Sequence, residues 1–234
     1  MKDTVRQAVF DHVQAAYPNE ACGLICRRGR WTRYFPCTNL SGSPQDNFAL
    51  CPQDYARAED WGDVVAVVHS HPDATSLPSD ADRATCNEQG VPWLIVSWPE
   101  GDVHELLPVD PPLIGRPFVL GVYDCWGLIM SYYRQEYGIT LTDYRVDYPW
   151  WESGLENRYV DNQPASGFVP FDGDPRPGDI VLMQISAPVV NHAGVLLDGG
   201  VMLHHLYGHQ SGRTPYGGFW RDRTWKILRH KDLL

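Results

Sequence analysis

Residues 64–82 read VVAVVHSHPDATSLPSDAD, and this stretch decides the first half of the fold. Val64 to Val68 is a short apolar run of the kind that forms an interior strand. The run stops at His69 and His71, which alternate by two along the strand, so both imidazoles point to one side. Ser79 is a preferred helix N-cap residue, which predicts a helix over Ser79–Glu88 with Asp82 in its first turn. Two histidines and one carboxylate are a common catalytic zinc set, leaving the fourth position for a water whose pKa the metal lowers to about 7. Taken singly, each fragment has a plainer reading. A His-x-His at a strand end occurs by chance, and Ser79-x-x-Asp82 is also a relative of the capping box.

Upstream, Asp3–Ala16 carries Val5, Val9, Val13 and Ala16 near helical spacing, and Pro18 ends that helix. Ala21–Cys26 is a short buried strand and Asp54–Trp61 a second helix. Downstream, Trp93–Trp98 is a strand, Pro-Glu-Gly-Asp a turn, and Val103–Leu107 another strand. This mixture predicts an α/β sandwich over residues 1–107. Residues 108–117 hold four prolines in ten positions, which can neither continue a helix nor join a central sheet, so they are read as a linker. Residues 118–234 then make a second, α+β domain. Cys125–Tyr137 is a helix stopped by Gly138, and Pro177-Gly-Asp179 turns into a strand at Ile180–Met183. His192–Leu197, Val201–Leu206 and Trp225–Leu228 complete a small antiparallel sheet.

The chain has 234 residues, 21% charged and 43% hydrophobic, with a formal net charge of −10. That suits one large soluble domain or two small ones and disfavours nucleic acid, whose phosphates an acidic surface repels. No apolar run reaches the roughly 18–20 residues that span a bilayer, and the first residues show no apolar signal core. The six cysteines are scattered without a C-x-x-C pair, which argues for a reducing cytoplasm over a disulfide framework. Tyr144, Tyr148, Trp150, Trp151 and Tyr159 form an aromatic cluster, read either as core or as a wall facing a sugar or peptide.

A second chemical group surrounds Tyr123-Asp-Cys125-Trp-Gly127. Cys125 falls at a helix N-terminus, where the helix dipole and orphan amides favour thiolate over thiol. His192 stands at a strand start and His204 on the next strand, so a hairpin brings the rings together, one as base and one as its orienting group. His205 and His209 compete with His204 for the last role. For Cys125 alone, a buried structural cysteine is the plainer reading.

Joined, H-S-H-x7-S-x2-D closely resembles the JAMM (MPN-plus) metallopeptidase signature, and Glu20-Ala-Cys22-Gly23 matches its upstream glutamate context. The resemblance implies His69, His71 and Asp82 as zinc ligands, Glu20 as acid/base and Ser79 as stabiliser of the developing oxyanion. D-C-x-G-L-I, P-G-D-I-V, H-A-G-V-x-L and a further histidine resemble the NlpC-type cysteine peptidases in order and spacing. That resemblance implies a papain-like fold acting on peptidoglycan stem peptides, with Cys125 as nucleophile, His192 as base, His204 as third member and Tyr123 on the oxyanion side. The small residue usual after the cysteine is Trp126 here. The two domains in this order, with the closing Tyr216-Gly-Gly-Phe-Trp220, resemble the tail-tip assembly family of lambda-like phages. This implies other tail-tip proteins as partners, stem peptides or tail proteins as substrates, and the host cytoplasm or the virion tail tip as location. A scaffold factor with vestigial sites, or an amidase or acyltransferase at the thiol, are the alternatives.

Overall fold

The computed structural model describes residues 2–234. Its chain divides into two compact units, Met1–Asp110 and Pro111–Leu234.

In the first unit α1 (Asp3–Ala16) buries Val5, Val9 and Val13, one apolar stripe four residues apart. Next come β1 (Cys22–Arg28), β2 (Trp31–Cys37), α2 (Pro52–Trp61), β3 (Asp63–Pro72), α3 (Asp80–Gln89), β4 (Trp93–Trp98) and β5 (Val103–Leu106). The sheet order is β2-β1-β3-β4-β5; β3 and β4 are parallel, with α3 as crossover, and the other pairs are antiparallel. Strand alternation divides the core into two layers. Ile25, Ala66 and Val68 pack with the α1 stripe, while Cys22, Leu24, Cys26 and Val67 face Ala58 of α2 and Cys86 of α3. The sheet is thus covered on both sides, and His69, in phase with Val67, lies on the α3 side. The strand β2 has no counterpart among the expected elements. It is reached through a two-residue turn whose Gly29 sits at φ 58°, a conformation that glycine adopts readily.

The second unit contains α4 (Cys125–Tyr137), α5 (Arg158–Asn162), β6 (Phe168–Pro170), β7 (Ile180–Met183), β8 (His192–Leu197), β9 (Val201–His204), β10 (Gly212–Pro215), α6 (Phe219–Asp222) and β11 (Thr224–His230). Its sheet runs β10-β9-β8-β7-β11-β6, antiparallel throughout. Trp126, Leu128, Ile129, Tyr132 and Tyr133 of α4 pack on Ile180, Leu182, Ala193, Val195, Leu203 and Leu228. The opposite sheet face gathers Val181, Met183, Leu196 and Met202. Gly127 allows α4 to approach the preceding loop, since a Cβ there would collide with the Val122 carbonyl.

Much of the proline-rich stretch read as a linker is built into the second unit. The buried Arg116 donates from Nε to the Pro112 carbonyl (2.8 Å), from Nη2 to that of Pro111 (2.9 Å) and from Nη1 to Ser131 Oγ (2.9 Å). Its backbone N–H donates to Ser211 Oγ at 2.9 Å. A guanidinium with five donors can pin such a segment where prolines supply carbonyls but no N–H. Among the described residues no helix is long and apolar enough to cross a membrane.

Candidate catalytic centres

Each unit gathers one cluster of chemically capable side chains. In the first, the end of β3 delivers His69 and His71 from the same sheet face, with their Nε2 atoms 3.0 Å apart. The first turn of α3 delivers Asp82, whose Oδ1 is 3.2 Å from His69 Nε2 and whose Oδ2 is 3.5 Å from His71 Nε2. One ligand atom from each of the three lies within 4.8 Å of the others, a spacing that fits a single metal ion. His71 Nδ1 meets the Thr75 carbonyl at 2.8 Å; a carbonyl only accepts, so that nitrogen carries a proton, and Nε2 is the one turned to His69 and Asp82.

Ser79 holds Asp82 in a reciprocal cap. Its backbone N–H and hydroxyl donate to Asp82 Oδ2 (2.7 and 2.8 Å), and its Oγ accepts from the Asp82 N–H (3.1 Å). The capping box of the plainer reading is therefore present, and it is the device that aims the carboxylate. The oxyanion role implied for Ser79 calls for a hydroxyl that here points at Asp82.

The Ser70 N–H donates to the Ala21 carbonyl (3.0 Å), continuing the β1–β3 register past Cys22↔His69, and the Ala21 N–H donates to Ser70 Oγ (2.8 Å); this brings Glu20 beside His71. Glu20, His71, Ser79 and Asp82 line one cavity of about 530 Å³. Burial lifts the Glu20 carboxyl to about 7, with His71 opposing and Asp82 and Asp46 adding to the rise. A carboxyl poised there can take and return a proton near neutrality. Burial opposes charge on Asp82, but hydrogen bonds from His69 and His71 win and hold it well below the carboxylate range. Burial lowers His69 and keeps it neutral, as a ligand must be.

In the second unit Cys125 opens α4. The N-cap is Asp124, which accepts from the Gly127 N–H at 2.8 Å and the Gly121 N–H at 3.2 Å. His192 opens β8 and His204 closes β9; the pairing Gly194↔His204 sets them on one face, with His192 Nε2 3.0 Å from His204 Nδ1. This leaves His192 Nδ1 as the nitrogen not used by its neighbour. Trp220 packs against His204 at 4.5 Å. Of the competing histidines, His209 is exposed. His205 is buried against Phe118 with neither ring nitrogen bonded. Cys125 and His192 line one cavity of about 280 Å³ walled by Trp126, Tyr144, Trp150, Trp151 and Tyr207. The aromatic cluster is thus both core and wall: Tyr159 is buried, while Trp150 and Trp151 are half-buried.

Two expectations about the thiol are corrected. The helix N-terminus does not dominate Cys125: burial, reinforced by Asp124, pushes the thiol up to about 12. Burial with His204 nearby takes His192 down to about 3. Among the described residues no hydrogen bond joins Cys125 Sγ to His192, and lost solvation favours the neutral form of each. The tyrosine hydroxyl beside the sulfur belongs to Tyr159, 2.9 Å from Sγ. The Tyr123 ring is instead buried beneath the Arg116 guanidinium, 5.2 Å away. Tyr159 comes from the five-residue α5 within irregular chain, where no periodicity points to a particular side chain. Trp126 fills the position after the cysteine by stacking on Tyr144 at 4.5 Å and donating to the Thr142 carbonyl at 3.1 Å.

Residues 2–107 match the family described as prokaryotic homologs of the JAB domain, and residues 115–229 match the NlpC/P60 family. The tail tip assembly protein K of Escherichia phage N15 is 56% identical over 235 residues, covering 100% of this chain and 97% of that one. The protein of the same name from Escherichia phage lambda is 36% identical over 184 residues, covering 78% and 89%. A solution structure of a Desulfitobacterium hafniense protein is 26% identical over 46% of this chain and 89% of its own, with a TM-score of 0.37, too loose a likeness to argue from. The chain belongs to the tail tip assembly protein K family, its first unit a JAB-like domain and its second an NlpC/P60 domain.

Proposed function

We propose that this chain takes part in building a phage tail tip and carries two peptidase centres. One is a thiol centre acting on peptidoglycan stem peptides, the other a zinc-dependent, JAMM isopeptidase-like centre. The thiol reading is supported most by Cys125 and His192 lining one cavity, with His204 bonded to the other nitrogen of His192. In this reading substrate brings the neutral pair into reach. Sγ attacks the scissile carbonyl carbon as its proton passes to His192 Nδ1, and a C–S bond forms. His204 accepts the Nε2–H bond and steadies the imidazolium. The same proton then leaves with the amine as the C–N bond breaks, and water hydrolyses the thioester. Tyr159, already in contact with the sulfur, is a donor to the thiolate as it forms.

At the other centre His69, His71 and Asp82 would hold zinc, which supplies a Lewis acid for water and carbonyl. Glu20 moves the proton: it takes one from the attacking water and delivers it to the leaving nitrogen. His69→Ala combined with His71→Ala should lose bound zinc, whereas Glu20→Gln should retain it and abolish hydrolysis. Zinc undiminished in the first variant, or lost in the second, contradicts these roles.

Turnover of purified peptidoglycan fragments tests the thiol centre. Wild type should release products whose masses fit stem-peptide cleavage, and Cys125→Ala should release none. An assembly factor without peptidase activity is the second reading, favoured by the raised thiol; equal inactivity of wild type and Cys125→Ala would select it.

A further inference from the structure

The two imidazoles of the first cluster are held in unlike ways. His71 ties its outer nitrogen to the Thr75 carbonyl at 2.8 Å. His69 is fully buried, its Nε2 faces the cluster, and its Nδ1 has no hydrogen-bond partner. Metal-binding histidines almost always donate the second ring N–H to an acceptor, which fixes the ring's orientation. His69 has an aromatic corner instead. Phe48 lies against the imidazole with centroids 4.7 Å apart and planes 25° apart, a stack. Trp93 meets the same imidazole edge to face at 5.2 Å and 78°, and Phe48 and Trp93 touch each other at 5.4 Å.

Both walls are fixed. Trp93 is buried on β4, and its indole N–H donates to Gln89 Oε1 at 3.1 Å. Phe48 belongs to the loop before α2, and Asn39 clasps that loop. The Asn39 side chain accepts from the Ala49 N–H (3.0 Å) and donates to the Asn47 carbonyl (3.1 Å), and Asn39 also bridges to Leu50. The loop therefore presents the Phe48 ring at a set place over His69. A flat apolar face restricts rotation of an imidazole about its Cβ–Cγ bond by contact alone, without supplying an acceptor.

We propose that Phe48 is a positioning residue for the metal, orienting His69 by stacking in place of the outer hydrogen bond that His71 has. The inference rests on the zinc reading above. Full-length apo-protein is titrated with zinc against a chromogenic competitor for wild type, Phe48→Leu and Phe48→Tyr. Leu keeps an apolar side chain of related volume and removes the ring; Tyr keeps the ring. Phe48→Leu should bind zinc about tenfold more weakly, the low end of what loss of an outer-sphere partner costs. Its apo melting temperature should stay close to wild type, and Phe48→Tyr should recover the affinity. Wild-type affinity in Phe48→Leu, or a loss in Phe48→Tyr equal to that in Phe48→Leu, overturns the proposal. If Phe48→Leu also melts early, Phe48→Met decides: wild-type zinc affinity in that ringless variant overturns the proposal, and weakened binding with an unchanged apo melting temperature supports it. A wild type that binds no zinc defeats the metal reading itself, an outcome distinct from undiminished binding in Phe48→Leu.

Discussion

Cys125 occupies the first position of a helix, where free amides favour an anion, yet lost solvation at this half-buried residue raises its thiol to about 12. A preformed thiolate–imidazolium pair reacts with alkylators at mildly acidic pH; a neutral buried pair does not. Iodoacetamide should therefore label Cys125 slowly at pH 6, with a rate still climbing above pH 9. A plateau between pH 5 and 7 would show that an ion pair forms. Tyr159→Phe removes one hydroxyl and leaves the ring, so the loss of its bond to sulfur should raise the thiol further. Labelling at pH 9 should slow about tenfold, the low end for a bond to a charged group. Unchanged labelling would limit Tyr159 to packing. His69, His71, Asp82 and Cys125 are visible in the sequence because short spacings on a strand or a helix start set their geometry, whereas Glu20 is reached only through the family resemblance. What is hidden is the environment: Tyr159 and Phe48 reach their centres through tertiary contact from irregular chain.

Among the elements, those with strong local signals are legible. Residues 3–16, 93–98, 125–137, 180–183 and 192–197 fall where periodicity and breakers put them. The strand β2 is harder, because its first residues, Trp31 to Arg33, are exposed or half-exposed and only its far end is buried; edge strands need little apolar sequence. The strands β6 and β10 are three and four residues long, below the length at which alternation can be read. One joint in the second sheet depends on charge. Asp179 at the Pro-Gly-Asp turn and Arg229 on β11 form a buried two-pronged pair at 2.6 and 2.7 Å. Replacing Asp179 by Ala leaves a buried guanidinium without its counter-ion, and such losses cost about 3–5 kcal/mol. Denaturant unfolding of the full chain should show the second-unit transition moving by that amount; a shift under 1 kcal/mol, about what exposed pairs contribute, would mean that water replaces the carboxylate.

For the whole molecule, two units with separate cores and two chemistries sharing no residue predict separable responses. A chelator should abolish only activity carried by the first unit, and an alkylator only that of the second; cross-inhibition would contradict this. Acid should act on the second unit through its histidines. Burial lowers His192 to about 3 and His204 and His205 to about 4, below the unfolded value of about 6.5. Between those values the unfolded chain binds more protons, so stability rises with pH there. It is complete above about pH 6.5 and is lost as pH falls toward 4 and then 3, by about 1.4 kcal/mol per pH unit for each such histidine. Melting scans from pH 7 to 4 should show the second-unit transition falling, and replacing His205 by Phe should reduce the slope. The sequence reveals two domains in order. It does not reveal where the proline-rich stretch goes, because the guanidinium that fastens it lies at its own far end, among partners distant in sequence.

Asp82 answers to two demands at once. Oδ1 faces His69, while Oδ2, the oxygen nearer His71, is half of the cap that starts α3. A lineage that abandoned hydrolysis would still be selected to keep an acid there, because the helix would fray without it. The aspartate can therefore persist where no hydrolysis is done. Among descendants of such a domain, loss of the imidazoles, which cap nothing, would be the earlier sign that the chemistry had gone.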